Sequence, residues 1–327
     1  MIRTVPIALL TALLAFPAMA VEIQGHRGAR GLAPENTLPA MAAALAIGVH
    51  NLEIDLQLTR DDHLVIGHDP ALKSWIARGP DGRWVTDPGP VVRQLTLDEL
   101  RRYDVGRLNP DTKYGQTYPE QKPADGTVMP TFDEFMALVR KSRNDRLRFN
   151  IEIKLTPADQ AVSATAEEYA EATVKAIRDA SIADRSTVIS FNWATTAAVA
   201  RLAPEIEIGL ITFESGSAYA NIQRGQPGPG PWLNGFDADD YPSTPQLVKA
   251  AGGRVWVPFW RNVTAELVEE AHALGLKVNV WTVNDRPTME RMIDMGVDGI
   301  TTDYPDRLRA VMQARGLSLP APTPVEP

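Results

Sequence analysis

The chain has 327 residues, 44% of them hydrophobic and 23% charged, an ordinary globular composition whose length suits one large α/β barrel or two smaller domains and argues against disorder. A formal net charge of −8 argues against a general nucleic-acid binder, so an anionic ligand would need a local positive centre. There is no cysteine, which excludes a disulfide framework, a thiol nucleophile and a thiolate metal site; any metal must be held by oxygen or imidazole.

Residues 1–20 carry Arg3, the apolar run VPIALLTALLAF and an Ala18-Met19-Ala20 arrangement ahead of Val21, the pattern of a cleaved signal peptide. The run is short of the ~20 apolar residues a spanning helix needs, and no later stretch is long enough, so the reading is a periplasmic or secreted protein with no stable membrane insertion. Beyond Val21, runs rich in Val, Ile and Leu recur at 21–25, 51–58, 147–153, 186–191, 206–212, 254–259, 276–281 and 298–302. Helix-like spacers separate them, several opening on Thr, Ser or Pro and closing on Gly. Eight strands alternating with helices predict a TIM (β/α)8 barrel over 21–316, with its active site at the C-terminal ends of the strands. Two stretches break the alternation. Residues 70–130, rich in Pro, Gly and Asp, read as a subdomain inserted after the second strand, and a Gly/Pro-rich insertion at about 213–242 should rise from the same face. The tail 317–327 reads as disordered.

Two of the strands carry charge in an unusual place. Glu53 and Asp55 in NLEIDLQL, and Glu152 and Lys154 in FNIEIKL, are two residues apart, so each pair points to one face of its strand and is costly to bury without partners. Three acids, Glu53, Asp55 and Glu152, suit one hard divalent cation, Ca²⁺ or Mg²⁺. Arg27 and Lys154 could hold phosphate oxygens beside it. The alternative is a structural ion-pair cluster of the kind barrel mouths also contain. Of the five histidines, His26 and His68 follow apolar strand runs, whereas His50 precedes one, His63 starts one and His272 lies in a helical spacer. A strand-end pair of imidazoles can serve as general base and general acid near neutral pH.

HRGARGLAPENT, LEIDLQLTRDDHLVIGHD, NIEIK, VISFN, VNVWTVN and GVDGITTDYPD, in this order from His26 to Asp306, resemble the glycerophosphodiester phosphodiesterases. The resemblance implies a TIM barrel with an insertion after the second strand, and metal-dependent hydrolysis of a glycerophosphodiester to sn-glycerol 3-phosphate and an alcohol. It implies His26 and His68 as acid and base, in either order, with Glu53, Asp55 and Glu152 as metal ligands. Arg27 and Lys154 would contact phosphate, while Trp281 and Phe191 would pack on the glycerol moiety or, alternatively, belong to the core. Glu35 of PENT is expected to hold its loop or Arg27 rather than metal. The nucleophile is water or the substrate's own 2-hydroxyl, the latter giving a cyclic phosphate that is then opened.

Two other readings compete. A phospholipase-D-like relative on the same barrel would act on lysophospholipids and should present an apolar rim, and a catalytically inactive surface binding protein should have lost an acid or a histidine. No motif encodes the alcohol accepted or the oligomeric state.

Overall fold

The structure is a computed structural model and describes residues 21–159, 162–215, 220–226 and 228–327; the leader expected at 1–20 lies outside them. In chain order the first elements are β1 (Glu22–Gly25), α1 (Leu38–Ile47), β2 (Asn51–Leu58) and β3 (Leu64–Ile66), followed by the short helices α2 (Leu97–Leu100) and α3 (Lys113–Thr117). Then come α4 (Phe132–Ser142), β4 (Arg148–Ile153), α5 (Ala166–Asp179), β5 (Ser186–Ser190), α6 (Trp193–Leu202) and β6 (Glu207–Thr212). The last third contains α7 (Thr244–Ala250), β7 (Val255–Pro258), α8 (Ala265–Ala273), β8 (Lys277–Val280), α9 (Arg286–Asp294), β9 (Gly299–Thr302) and α10 (Pro305–Ala314).

Eight of the strands pair in parallel, and β1 bonds both β2 and β9, so the sheet closes on itself as a (β/α)8 barrel. The helices start where their caps dictate. Thr131 and Thr165 each accept a bond from the amide three residues on and receive the Glu side chain there, which supplies partners for amides that the first turn would otherwise leave bare.

All eight residues of β2 are buried, although Asn51, Glu53, Asp55 and Gln57 alternate with Leu52, Ile54, Leu56 and Leu58. Parallel barrel strands are covered on both faces, so strict alternation here separates an outer apolar face, packed into the main core under the helices, from a polar face turned to the lumen. β4 repeats the pattern, with Phe149, Ile151 and Ile153 in the core and Asn150 and Glu152 on the other side. Across the lumen, Ile189, Ile211, Val255 and Val257 form a separate apolar cluster.

β3 is outside the barrel. It runs antiparallel to β2, pairing Leu58 with Leu64 and Leu56 with Ile66, after a turn in which Asp62 takes a φ of +61°. His68 thus reaches the mouth from a returning hairpin strand rather than from the upper end of a barrel strand. From there the chain leaves for residues 70–130, which pack around a small cluster of their own that includes Leu72, Ala77, Val92, Leu100, Val105 and Met129.

The tail differs from the expectation of disorder. Residues 317–327 carry no helix or strand, yet Leu317, Leu319 and Val325 pack against the main core and Thr323 N donates to Leu45 O. Its apolar residues cover surface that the barrel helices leave open, which outweighs the weak local signal of a Pro-rich segment. No helix among the described residues is long and apolar enough to cross a membrane.

Candidate active site

The site is assembled by strand register. Asp55 on β2 lies beside Glu152 on β4, and Glu53 lies one pleat below, beside Asn150. The carboxylates of Glu53, Asp55 and Glu152 each offer an oxygen within 4.8 Å of the others, and all three residues are buried, with exposures of 2, 0 and 7%. Lys154, just past β4, donates to Glu152 Oε1 at 2.7 Å and stands 3.7 Å from Asp55 Oδ1.

The loop after β1 supplies the opposing charge. Arg27 adopts a φ of +51°, and its amide donates to Glu53 Oε2 at 2.7 Å. Its guanidinium donates to Glu35 Oε1 at 2.5 Å and its Nε lies 3.1 Å from Asp55 Oδ2. Gly28 allows this path: at φ +83° a Cβ there would meet the backbone of Ala40 at 2.6 Å, so a side chain would push the loop off α1. Asn36, also left-handed at φ +56°, ties the PENT loop in by donating to Asp55 Oδ2 at 2.8 Å and bonding Arg27 O through its own amide. Glu35 therefore holds Arg27 and lies apart from the acidic trio.

His26 follows β1, and Asp303 follows β9, its neighbour in the sheet. The His26 Nδ1 atom lies 2.7 Å from Asp303 Oδ1; a carboxylate only accepts, so Nδ1 carries the proton and Nε2 is left as an acceptor, 3.9 Å from Glu53 Oε2. Arg30 binds both oxygens of Asp303, at 2.8 and 3.0 Å, and Asn284 donates to Oδ2 at 2.7 Å. His68 is backed by Asp69, whose Oδ1 lies 3.3 Å from Nδ1. The insertion completes the rim: Tyr114 on α3 donates to Glu35 and accepts from Arg30 at 3.0 Å, and Tyr118 lies under the Arg30 guanidinium at 4.8 Å.

Protonation follows from this packing. Burial, then the charge of Arg30, brings His26 down to about 4, and burial with the charges of Arg27 and Lys154 also lowers His68, so both imidazoles are neutral at pH 7. Burial opposes ionisation of Asp55, but Arg27 and Lys154 outweigh it and hold that carboxyl well below the usual range. Glu53 goes the other way, pushed far up by burial and by the charges of Asp55 and Glu152. Burial and Asp55 push Glu152 up to about 7 despite Lys154. The trio is short of positive charge.

The atoms show the same shortage. Glu53 Oε1 and Asp55 Oδ1 are fully buried and have no hydrogen-bond partner among the described residues. Leaving a buried carboxylate oxygen bare costs about 1–3 kcal/mol or more. An all-oxygen set with bare, converging donors fits a hard divalent cation.

A cavity of about 240 Å³ opens above the trio. His26, Arg27, Glu53, His68, Glu152 and Lys154 form its ionic half, and Phe191 and Trp281 form its aromatic half over Ile189, Ile211 and Val257. Phe191 and Trp281 meet edge to face at 5.3 Å, and the Trp281 indole donates to Val257 O at 2.9 Å. Both rings are thus at once packed on the small apolar cluster and presented to the cavity.

The model of the glycerophosphoryl diester phosphodiesterase family matches residues 26–307. The chain belongs to that family. A glycerophosphodiester phosphodiesterase of Caldanaerobacter subterraneus subsp. tengcongensis is 30% identical over 295 residues, 89% of this chain and 97% of its own length. A solved structure from Silicibacter pomeroyi DSS-3 named for the same family superposes with a TM-score of 0.81 at 35% identity, covering 93% of this chain and 96% of that one. The fold extends to an Oleispira antarctica phosphodiesterase solved with its product sn-glycerol-3-phosphate, at 22% identity and a TM-score of 0.64, covering 90% of this chain and 97% of that one.

Seven of the residues singled out in the sequence besides the metal trio, namely His26, Arg27, Glu35, His68, Lys154, Phe191 and Trp281, gather at this mouth, with Glu35 behind Arg27. Asp303, Arg30, Asn284 and Tyr114 were not singled out. Asp303 obeys the strand-end rule that drew attention to His26, standing one residue beyond an apolar run, and could have been found by it. Tyr114 could not, because nothing in the composition of 70–130 says which side chain returns to the first loop.

Proposed function

We propose that this protein hydrolyses glycerophosphodiesters to glycerol phosphate and an alcohol, with one divalent cation held by Glu53, Asp55 and Glu152. The observation that carries this reading is the buried acidic trio with its two bare oxygens, faced across one cavity by two neutral imidazoles, a guanidinium and an ammonium. When bound, the cation would supply positive charge to offset the negative charge that builds on the phosphoryl oxygens in the transition state. Arg27 and Lys154 orient the phosphodiester from either side of the trio.

His26 is the general base. Asp303 fixes its Nδ1–H tautomer and leaves Nε2 to take a proton from the nucleophile, water or the substrate's 2-hydroxyl. As the nucleophile's oxygen bonds phosphorus, the phosphorus–oxygen bond to the alcohol breaks; the departing alkoxide takes a proton from His68 in its imidazolium form, the minor form at pH 7, and His68 returns to the neutral imidazole. The two histidines differ in their support. Arg30 already neutralises Asp303, whereas Asp69 has no Lys or Arg within 4 Å among the described residues and is available to stabilise a His68 imidazolium. With the 2-hydroxyl as nucleophile the product is a cyclic phosphate, which water opens in a second pass.

Among the described residues the one exposed large hydrophobic side chain is Val162, at 40%, so no apolar rim favours a lysophospholipid substrate. The test is release of glycerol 3-phosphate from glycerophosphocholine, measured after EDTA treatment and again with Ca²⁺, Mg²⁺ or Mn²⁺ restored. Loss and recovery of turnover are expected. Turnover indifferent to EDTA would overturn the carboxylate assignment, and choline release from lysophosphatidylcholine in its place would move the reading to the lipid substrate.

A further inference from the structure

A diester has two arms, and two cavities of similar size meet at the mouth, both far larger than the small pocket of about 30 Å³ behind His68 and Asp69. Beside the first lies a second, of about 250 Å³, and the two share His68, Glu152, Lys154 and Phe191. His26 and Trp281 border the first alone, whereas Asp69, Asp159 and Trp232 border the second alone. A phosphoryl group at the shared wall therefore sends one substituent into each cavity. The second lies on the side of His68, the group proposed to protonate the leaving alkoxide.

The chemistry of the second cavity is distinct. Trp232 comes from the insertion after β6 and is held in place by its backbone: its carbonyl accepts from Trp193 N at 2.8 Å, and the next residue, Leu233, is buried in the main core. Its ring meets Phe191 edge to face, centroids 6.3 Å apart and planes at 62°, which makes an aromatic corner. Lys154 already stands 5.5 Å over Phe191, but its charge is answered by Glu152 and Asp55. No cation stacks on Trp232 among the described residues. Asp69 and Asp159 also line this cavity; the Asp159 carboxylate accepts from the Thr156 amide at 3.2 Å, and neither acid has a Lys or Arg partner within 4 Å among the described residues. An aromatic face together with two carboxylates free of Lys or Arg partners is what attracts an ammonium group, whose positive charge is stabilised by the ring quadrupole and by the acids.

We propose that this second cavity is the subsite for the alcohol arm and that Trp232, with Asp69 and Asp159, makes it select amino alcohols carrying a positive charge over neutral polyols. The proposal rests on the phosphodiester hydrolysis reading above.

The test compares kcat/KM for glycerophosphocholine and glycerophosphoglycerol, which share the glycerol phosphate arm and differ in the charge of the alcohol. The cation-loaded wild type is expected to prefer the choline ester by about tenfold, the worth of one partly desolvated cation–π contact. Trp232→Ala should abolish most of that ratio, mainly through KM for the choline ester. Trp232→Phe should retain an intermediate preference and guards against a folding defect in the alanine variant. Asp159→Asn should lower the ratio by a few-fold, and less so at high salt. A wild type that hydrolyses both esters equally, or variants that leave the ratio unchanged, overturns the subsite while the hydrolytic reading stands. Failure of the wild type on both esters with cation present removes the hydrolytic reading and this one with it.

Discussion

The two ends of the same barrel handle charge in opposite ways. At the floor, Arg148 pairs with Glu207 at 3.2 Å and faces Glu22 at 3.9 Å, Lys277 pairs with Glu207 at 2.9 Å, and His272 bonds Asp298 at 2.9 Å. Burial works against Glu207 there, but hydrogen bonds from Lys277 and Thr187 outweigh it and its pKa falls. At the mouth, the buried acids Glu35, Glu53, Asp55, Glu152 and Asp303 face Arg27, Arg30 and Lys154, and two carboxylate oxygens have no hydrogen-bond partner among the described residues. With all five acids ionised, five against three leaves an excess of two negative charges, which one divalent cation would balance; without it, Glu53 and Glu152 are driven toward their protonated forms instead. A structural ion network closes on itself, whereas this mouth is left open toward a ligand.

The largest effect that can break this comparison is catalytic. His26→Ala and His68→Ala should each lower turnover by ~10² to 10⁴, as expected for loss of a general base or acid, with melting temperature little changed. Near-normal turnover in both would remove the acid–base assignment and reduce the mouth to a second ion network. His272→Ala at the floor provides the contrast, since that imidazole faces no cavity of the mouth.

Asp303→Asn comes next, because an amide can donate to His26 Nδ1 and stabilise the wrong tautomer. We expect kcat to fall by roughly 10²-fold with KM nearly constant, and Asp303→Ala to be no worse. A change confined to KM would show that Asp303 serves only to anchor Arg30.

The smallest effect separates the two ends by sign. Without cation, Glu152→Gln should stabilise the protein and Glu207→Gln should destabilise it, each on the order of 1 kcal/mol. The first difference should depend on pH. A carboxyl raised from its usual 4.5 to about 7 keeps its proton in the folded state after the unfolded chain has lost it, so ionisation of Glu152 removes stability as pH rises through that window. His26, held at about 4, acts in the opposite direction between 4 and 6.5, so the measurement is the difference in melting temperature between variant and wild type. That difference should grow from pH 4.5 to 7 and shrink once Ca²⁺ or Mg²⁺ is added to saturation. A flat difference would mean that Glu152 is adequately paired by Lys154 alone.

Much of the architecture was legible because its signals are local. The eight apolar runs became the eight barrel strands, with ends displaced by one residue where, for example, Phe191 and Trp281 fall just outside β5 and β8. Thr131 and Thr165 announced their helices through capping boxes that need only four residues to form. Glu53, Asp55 and Glu152 were legible for the same kind of reason, since a two-residue period assigns a face without knowledge of the fold. Asp303 carries the same strand-end signal as His26, but the pairing that gives it a role joins residues 277 apart in the chain, which no local pattern encodes. Trp232 sits in irregular backbone, where no period connects position to direction, and Tyr114 sits on α3, a helix too short for a period to show.

By itself, then, the sequence determined that acids stand on one face of two buried strands and that imidazoles lie at the ends of apolar runs, because backbone geometry repeats every two residues wherever a strand forms. Tertiary structure decided the rest. Closure of β1 against β9 brought Asp303 to His26, the antiparallel return of β3 delivered His68, and the left-handed turn at Arg27 set a guanidinium against Asp55. It also decided which carboxylate oxygens would be left bare. That outcome depends on every partner within reach in three dimensions, and no spacing along the chain encodes it.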